Sequence, residues 1–428
     1  MSLSSTVPPI SLGLCCLNTV LRNPKKLPGM KRKPEPIFSS RSMIFKTLNE
    51  KGFHEAVVRS RKNLEDIIPM LKWNIKNRIR VFRLSSEIFP HISNPDIFKI
   101  NAEEEDSKEK IEMWDGRPLN AARYQSLDWC QDLLEKVGTF AKSNGIRLTF
   151  HPGQFNVIGT NDKKTLTKTR IELEIHARIL DMMGMGNDSI MVIHGGGIYM
   201  TPEQRKKGPE GRIEAKYGSY PVPPVESTRG VISRWVDNFL QMPENVQRRL
   251  VLENCEKSYS LEDCLRVSDL LYARAGRKIP IVYDTHHYAC YTQLHPDETQ
   301  TPVRDLIQRV LDSWISRGVK PKFHISEQGS GKCGHHSDYV EVITPELLEI
   351  YHRFESKGLE IREKNSEAQG DGGGWTPVKI DVMIEAKAKE QAVLHLHGKL
   401  EYQEALGLVE SGSTLFSDLE KSDSKVSN

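Results

Sequence analysis

Residues 281–287 read IVYDTHH, an apolar run that ends abruptly in an aspartate and two histidines. The apolar half predicts a buried β-strand, and the polar half places metal-binding residue types at its carboxyl end. A lone aspartate at a strand end is often only a helix N-cap. Asp284 and His287 are three residues apart across the strand exit, where the backbone turns and both can reach one ion, so we predict that they are metal ligands.

The same pattern recurs in seven further segments of the chain. They are ISLGLCCLN ending at Asn18, RIRVFRLSSE ending at Glu87, IRLTFH ending at His151, SIMVIH ending at His194, RLVLENCE reaching Glu253, KFHIS with His324, and VKIDVMIEAK with Glu385. Longer amphipathic stretches separate most of them. Eight strand–helix units predict an α/β fold, a (β/α)8 TIM barrel with long insertions on the catalytic-face loops, where such barrels carry their active sites.

The composition of the chain limits the classes of protein to which it can belong. The chain has 428 residues, of which 38% are hydrophobic, and its net charge is only +3. No segment has the roughly 18 apolar residues of a membrane span, so we expect no membrane association. Seven cysteines without CxxC spacing predict reduced thiols in an intracellular protein, nuclear if the source is eukaryotic. We expect a flexible N-terminus over 1–9, a single barrel domain over 10–411, a disordered tail over 412–428, and a monomer.

The polar residues at the strand ends are candidate ligands for divalent ions. The set comprises His151, His194, Glu253, Asp284, His287, His324, His336 and Glu385. Histidine, aspartate and glutamate without cysteine suit Mn²⁺, Mg²⁺, Zn²⁺ or Fe²⁺. Several ions held close together, two or three here, suit phosphodiester hydrolysis.

A lysine accompanies these ligands. Lys322 lies two residues before His324, so both side chains fall on the same face of a strand. A lysine beside a metal site is unusual as a plain cation. It is either carbamylated, which supplies a carboxylate, or it holds a phosphate.

Basic loops and an aromatic turn indicate a nucleic-acid substrate. The basic residues are Lys25, Lys26, Lys31, Arg32 and Lys33 in one loop, and Arg205, Lys206 and Lys207 in another. On a barrel these loops surround the mouth and can pair with backbone phosphates. Gln154 and Phe155 follow His151 in the turn HPGQF, where an aromatic ring could wedge into a base stack.

Taken together, these motifs resemble the UV damage endonuclease family. The resembling stretches are FRLSSEIFPH, LTFHPGQFNVIGT, IHGGG, LENCEKSYS, YDTHH, KFHIS, HSDYV and IEAKAKEQAVL, which occur in that order along the chain. The resemblance implies a TIM barrel that nicks damaged double-stranded DNA immediately 5′ of cyclobutane pyrimidine dimers and 6-4 photoproducts and so initiates alternative excision repair. It implies divalent metal ions as cofactors, with Mn²⁺ preferred.

The resemblance also implies roles for single residues. The eight candidate ligands match the metal ligands of the family, and Glu253, Lys322 and His324 are its catalytic candidates. Lys322 matches a lysine that is carboxylated in some members. Asn18 matches an asparagine that contacts DNA, and Gln154 and Phe155 match a pair that probes the duplex opposite the lesion. We expect Lys25, Lys26, Arg205 and Lys206 to bind DNA as well.

Two motifs depart from the family pattern. Asn94 stands where many relatives carry a histidine after the second strand, so His91, three residues earlier, is a further candidate metal ligand. Cys255 and Glu256 replace two acids in ENCEK without touching Glu253.

Three alternatives stay open at this point. An abasic-site endonuclease similar to endonuclease IV would use the same fold and metals. A sugar isomerase also holds paired metals at a barrel mouth, but it would not need basic loops around it. A lesion-binding protein that lost catalysis is the third, because one expected ligand position holds Asn94.

Overall fold

The computed structural model describes residues 10–26, 28–100, 112–349, 360–361, 376–377 and 379–408. The predicted N-terminal segment 1–9 and the predicted tail 412–428 lie outside the described residues.

Eight parallel strands form the centre of the molecule. They are β1 (Ile10–Cys15), β2 (Val81–Arg83), β3 (Arg147–Thr149), β4 (Met191–His194), β5 (Leu250–Glu253), β6 (Ile281–Val282), β7 (Lys322–Ile325) and β8 (Ile380–Ile384). Five of them pair in the order β3-β2-β1-β8-β7, and the other three pair as β4-β5-β6. Each strand therefore lies beside its neighbour in the chain, and β8 returns to β1.

Two bridges join these groups into a closed ring. Phe150 pairs with Met191 and so connects β3 to β4, while Asp284 pairs with His324 and connects β6 to β7. Both bridges are parallel, and the Val192 N–H donates to the Phe150 carbonyl at 3.0 Å. The predicted (β/α)8 barrel is confirmed.

The barrel strands are buried along most of their length. Every residue of β1, β5, β7 and β8 is buried. Strands covered on both faces read as near-continuous apolar runs, because helices cover the outside of the barrel. In β7, Phe323 and Ile325 alternate with Lys322 and His324, so one face carries apolar side chains and the other carries the two polar ones.

Helices lie between the strands along the chain. They are α1 (Thr19–Arg22), α2 (Phe45–Lys76), α3 (Ala121–Ser126), α4 (Gln131–Ser143), α5 (Lys163–Met182), α6 (Pro202–Lys206), α7 (Pro209–Tyr217), α8 (Gly230–Leu240), α9 (Glu244–Gln247), α10 (Leu261–Ala275), α11 (Thr285–Leu294), α12 (Val303–Ile315) and α13 (Glu390–His397). Residues 345–349 are also helical. Two further antiparallel pairs join Met113–Trp114 with Arg117–Pro118, and Glu360–Ile361 with Thr376–Pro377. None of the helices in the described ranges combines the length and the apolar character that a membrane crossing requires.

The insertion after β4 is packed firmly against the barrel wall. Its helix α7 carries Lys216, which is almost fully buried and whose Nζ donates to Asp263 Oδ2 and to the Tyr291 hydroxyl, both at 2.7 Å. Asp263 belongs to α10 and Tyr291 to α11. Because a buried charge is costly unless it is paired, this contact fixes the insertion to two barrel helices. The predicted long insertion on the carboxyl-terminal face is therefore an ordered part of the rim.

Candidate metal centre

The ends of six strands deliver polar side chains to one mouth of the barrel. His194 is the last residue of β4, Glu253 is the last residue of β5, and His324 is the third residue of β7. His151 follows β3, Asp284 follows β6 and Glu385 follows β8, each within two residues of the strand end. Parallel strands present their carboxyl ends at the same edge, so these side chains converge.

Glu253 lies at the middle of this convergence and is fully buried. Its Oε2 lies 2.9 Å from His151 Nε2 and 3.7 Å from His194 Nε2. Its Oε1 lies 2.8 Å from His324 Nδ1 and 3.6 Å from His287 Nδ1. One carboxylate thus faces four imidazoles through its two oxygens.

Three overlapping sets of donors could each hold a metal ion, with all ligand atoms of a set within 4.8 Å of one another. The sets are His151, His324 and Glu385; His151, His194 and Glu253; and Glu253, Asp284 and His324. Each set shares a residue with another, so ions bound in them would be close neighbours. The three sets together offer donors for more than one ion.

Two basic residues stand behind this centre. Arg83 at the end of β2 pairs its NH1 with Glu385 Oε1 at 2.5 Å. Lys322 is fully buried, and its Nζ lies 2.7 Å from His324 Nε2. Burial lowers the pKa of Lys322 to about 8, and the charges of Arg83 and Arg147 lower it further in the same direction. The amine therefore holds its proton weakly for a lysine.

Asp284 joins the centre and also starts α11. Its Oδ1 accepts the His287 N–H at 2.7 Å as an N-cap, and its backbone is held by two hydrogen bonds to the Asn254 side chain, at 2.8 and 3.0 Å. Its Oδ2 is buried and has no hydrogen-bond partner within the described part of the chain. A buried carboxylate oxygen without a partner is costly, so this atom is suited to be a cation ligand. His287 Nδ1 lies 3.7 Å from the same oxygen.

The electrostatics of the centre favour a bound cation. Burial raises the pKa of Asp284 to about 7, and the charges of Glu253 and Glu385 add to the rise. Burial disfavours the cation of His287, but Asp284 and Glu253 attract a proton so strongly that the pKa of His287 is raised to about 9. The mouth thus concentrates negative charge that draws in protons, and a divalent ion would replace them.

Other members of the centre are poised as neutral or anionic ligands. Burial lowers the pKa values of His194 and His324 to about 4, which leaves both imidazoles neutral with a lone pair available. Burial opposes the ionisation of Glu253, but the attraction of His324, His194 and His151 outweighs it and holds the pKa of Glu253 well below its usual range. These are the protonation states that metal binding needs.

The glycines of HGGG shape the loop beside His194. A Cβ on Gly195 would lie 2.3 Å from the ring of Tyr259, which is too close for any side chain. Gly196 has φ of 92°, a left-handed conformation that favours glycine. The motif therefore lets the chain turn away from His194 directly against the buried Tyr259.

His336 lies beside the centre but in none of the three donor sets. Its ring centroid is 6.4 Å from that of His287 and 5.9 Å from that of His286. Burial lowers the pKa of His336. The candidate ligand is thus close to His287 of α11, which is likewise in none of the three donor sets.

His91 and Asn94, the two residues in question after the second strand, make contacts outside the centre. The Nε2 of His91 lies 2.7 Å from the Met43 carbonyl, and its ring meets Phe45 edge-on. Asn94 caps the 3-10 helix Pro95–Lys99, because its Oδ1 accepts the Asp96 N–H at 3.0 Å. Neither belongs to a donor set of the centre.

We expect His91→Ala to leave the metal content of the purified protein unchanged. The substitution removes the hydrogen bond to Met43 and should cost about 1 kcal/mol of unfolding free energy. Metal analysis and denaturant unfolding of the variant measure both quantities, with Asn94→Ala as a matched loop control. Loss of one metal equivalent in His91→Ala would instead establish His91 as a ligand.

The expected DNA-binding residues fall in two environments. Gln154 and Phe155 are exposed on the turn after His151, and Phe155 has 86% of its surface accessible. Asn18 is fully buried, and its Oδ1 caps α1 by accepting the Leu21 N–H at 2.9 Å. In this conformation Asn18 holds the helix that follows β1 and does not lie at the surface.

The basic residues expected to bind DNA are on the surface. Lys25 and Lys26 are exposed in the loop that follows α1. Arg205 and Lys206 are exposed on α6, within the insertion after β4. Both loops follow carboxyl ends of barrel strands and therefore lie on the same side as the donor sets.

The sequence pattern missed two residues of the centre. Strand β2 ends at Arg83 and not at Glu87, which is exposed in the following turn. Arg83, not Glu87, therefore reaches the mouth, and the signal for it was its place at the end of the apolar run VFR. Asn254, placed by alternation on the opposite face from Glu253, supports Asp284 through its side chain.

All seven cysteines are free thiols, as expected.

The chain is an α/β barrel whose mouth gathers histidine and carboxylate donors able to hold divalent ions. Within that class, it belongs to the UV-endonuclease family UvdE, whose family model matches residues 10–109, 118–207 and 226–414. Relatives support this membership. A protein of Acanthamoeba polyphaga mimivirus is 28% identical over 394 residues, which cover 91% of each chain.

Two further comparisons agree. The UV-damage endonuclease of Neurospora crassa is 27% identical over 420 residues, which cover 90% of this chain and 50% of that protein, so the chain spans half its length. The crystal structure of SacUVDE matches the fold with a TM-score of 0.58 and 23% identity, over 93% of this chain and 97% of the other.

Proposed function

We propose that this protein is a metal-dependent DNA repair endonuclease that hydrolyses the phosphodiester bond 5′ to UV photoproducts. Cyclobutane pyrimidine dimers and 6-4 photoproducts are the proposed lesions, and damaged double-stranded DNA is the partner. The proposal rests on one observation: in a chain of the UV-endonuclease family, Glu253 sits between interlocked donor sets at the barrel mouth.

The ions would be held by the strand-end ligands, with Glu253 shared between two sets. When bound, divalent ions supply Lewis-acid stabilisation of the charge that develops in phosphodiester hydrolysis. We propose two or three ions and Mn²⁺ as the preferred one, because the donors are histidines and carboxylates without cysteine. Mg²⁺ and Zn²⁺ fit the same donors. The unpartnered Asp284 Oδ2 and the two buried carboxylates, Glu253 and Asp284, are the features that a cation would satisfy.

The residues of the chain have separate tasks in this proposal. Glu253 keeps its negative charge at neutral pH and holds His151 and His324 by hydrogen bonds, which orients their rings toward the mouth. The Lys322 Nζ contacts His324 Nε2. Because the pKa of Lys322 is lowered, part of its amine is unprotonated near neutral pH. An unprotonated amine can be carboxylated, which would turn a buried cation into a further anionic ligand.

The exposed loops would bind the DNA. Lys25, Lys26, Arg205 and Lys206 would pair with backbone phosphates, which position the duplex without reading its sequence. Phe155 and Gln154 would enter the base stack at the lesion, where weakened stacking lowers the cost of distortion. Such a protein would act inside the cell, in the nucleus of a eukaryote.

Removal of the exposed Gln154 and Phe155 side chains should reduce the preference for damaged DNA more than it reduces metal binding. In the double variant Gln154→Ala/Phe155→Ala, we expect the preference for damaged over intact DNA to fall about ten- to hundredfold, because a base-stacking contact contributes about 1–3 kcal/mol. The ratio of nicking rates on the two substrates measures this effect. Tyr272→Ala is the matched control, since Tyr272 is also an exposed aromatic but lies in the last turn of α10, at the other end of the barrel. Unchanged discrimination in the double variant would reject the probe role.

The proposed activity is tested by nicking of supercoiled plasmid, irradiated or not, with Mn²⁺ or with EDTA. We expect nicking of the irradiated plasmid with Mn²⁺ and loss of it with EDTA. Equal nicking of both plasmids, or nicking that survives metal removal and dialysis, would contradict the proposal. A plasmid with abasic sites instead of photoproducts distinguishes the alternative of an abasic-site endonuclease.

A further inference from the structure

The loop that follows β4 carries an exposed aromatic side chain, Tyr199, which has no task in the function proposed above. Tyr199 lies five residues after His194, and it is 41% exposed. Its φ of 51° is in the left-handed region, which is unfavourable for a residue with a large side chain. Backbone strain of this kind persists only where the surrounding structure fixes it, and it clusters at functional sites. The fold therefore holds an aromatic ring in an exposed position at a cost to its own stability.

The loop is fixed on both sides of Tyr199. A Cβ on Gly196 would lie 3.1 Å from Cγ1 of Val157, so the loop packs closely against the segment that follows the HPGQF turn. On the other side, the Thr201 hydroxyl accepts the Gln204 N–H at 3.2 Å, and the Gln204 side chain accepts the Thr201 N–H at 2.9 Å. This reciprocal cap starts α6 two residues after Tyr199. The ring is thus presented from a short, anchored stretch of chain.

Arg234 of α8 links Tyr199 to the segment that carries Gln154 and Phe155. The Nε of Arg234 donates to the Gly159 carbonyl at 2.8 Å, four residues after Phe155. The guanidinium carbon of Arg234 also lies over the Tyr199 ring, 5.7 Å from its centre. A cation at this distance from an aromatic face is attracted to it. One arginine therefore holds the Tyr199 ring beside the turn that carries the other exposed aromatic of the mouth.

Basic side chains accompany the ring. Arg234 is half-buried against it, and Arg205 and Lys206 lie in the last turn of α6, which begins three residues after Tyr199. Aromatic rings combined with basic groups are the usual means of binding unstacked nucleic acid, because the ring stacks on a base while the cations pair with backbone phosphates. The surroundings of Tyr199 therefore suit DNA whose bases are already partly unstacked.

We propose that Tyr199 is a further DNA-contacting residue of the mouth, which stacks on a base that the lesion has unstacked, and that Arg234 is the positioning residue that holds its ring. The inference rests on the proposed function, because it takes damaged double-stranded DNA as the partner. A poorly stacked base costs less to displace from the duplex, so a protein ring can replace its lost stacking contact. Tyr199 and Phe155 would then contact the distorted duplex from two adjacent loops.

Equilibrium binding tests this role without any cleavage step. The full-length protein is titrated in EDTA with a fluorescent duplex that contains one cyclobutane pyrimidine dimer, and anisotropy gives the Kd. We expect Tyr199→Ala to weaken binding about tenfold, because one base-stacking contact is lost. Tyr199→Phe keeps the ring and should bind like the wild type, and Arg234→Met should weaken binding in the same direction as Tyr199→Ala. Tyr272→Ala removes an exposed aromatic at the other end of the barrel and should have the wild-type Kd.

A glycine variant separates DNA contact from stability. Glycine adopts a φ of 51° without strain, so Tyr199→Gly should melt at least as high as Tyr199→Ala. Both variants should bind the dimer duplex equally weakly, and both should keep the wild-type metal content. With Mn²⁺ present, the KM for irradiated DNA should rise in both variants while kcat changes little. A side chain with a purely structural role would instead change the melting temperature and leave the Kd unaltered.

Two results would overturn the role of Tyr199 alone. They are a wild-type Kd in Tyr199→Ala, and a loss of affinity in Tyr199→Phe as large as that in Tyr199→Ala. The proposed function fails separately, if the wild type binds the dimer duplex more tightly than the intact duplex but does not nick it with Mn²⁺. A wild type that binds the two duplexes equally would contradict both proposals.

Discussion

Glu253→Gln should reduce nicking of irradiated DNA by about a thousandfold or more. Replacement of residues that only support a metal ligand typically costs ten- to a hundredfold, and Glu253 belongs directly to two donor sets. Glutamine keeps the shape of the side chain but loses the charge and one of the two acceptor oxygens that face His151 and His324. Nicking rate at saturating Mn²⁺ and metal content per chain measure the effect, and both should fall.

Glu256→Gln is the matched control for this variant. Glu256 lies three residues further along the chain and shares the electrostatic field of His194 and His287, but it belongs to no donor set. We expect near-normal metal content in this control. If Glu253→Gln nicked DNA at the wild-type rate at saturating Mn²⁺, the proposed role of Glu253 as a metal ligand would be wrong.

Asp284→Asn should reduce nicking about as strongly as Glu253→Gln does, and the fold should be preserved. An asparagine Oδ1 can still accept the His287 N–H and cap α11, so the local helix start is retained. The second oxygen, Oδ2, becomes an amide nitrogen, which cannot bind a cation. The variant therefore separates the ligand role of Asp284 from its capping role, and metal content together with nicking rate reports the ligand role.

The metal-free form of the same variant should also be at least as stable as the metal-free wild type at pH 8. Burial raises the pKa of Asp284 to about 7 in the folded protein, above its ordinary value of 3.8. A raised pKa for an acid means that the folded state resists ionisation, so stability is lost as the pH rises from the ordinary value toward the raised one. Asparagine does not ionise and avoids this loss. A clearly lower melting temperature for Asp284→Asn in EDTA would show that the carboxylate stabilises the fold without metal.

The sequence predicted the barrel because its signals are local. Each strand is a short apolar run, and six of the runs carry a histidine, aspartate or glutamate within two residues of the carboxyl end of a strand. The closed ring also follows from chain order, since each strand pairs with its neighbour in sequence. This regularity is what brought His151, His194 and Glu253 into one prediction, and the structure places their side chains together.

The sequence pattern did not predict contacts that depend on strand pairing or on the conformation of a turn. The pairing of Arg83 with Glu385 joins residues that are 302 positions apart, and it exists because β1 lies between β2 and β8. The contact of His91 with Met43 depends on a turn in which His91 has φ of 57°. Neither could be read from spacing, because a loop histidine can turn toward the mouth or toward a helix with the same sequence around it.

The proposed activity is cleavage of DNA beside a photoproduct by metal ions bound at this barrel mouth. The most direct measurement uses an end-labelled duplex with a single cyclobutane pyrimidine dimer, incubated with protein stripped of metal and then supplied with Mn²⁺. We expect one cut immediately 5′ of the dimer. The cut should be absent before Mn²⁺ is added, with Glu253→Gln, and on the undamaged duplex. An uncut dimer duplex beside an efficiently cut abasic duplex, or a dimer cut without metal, would contradict it.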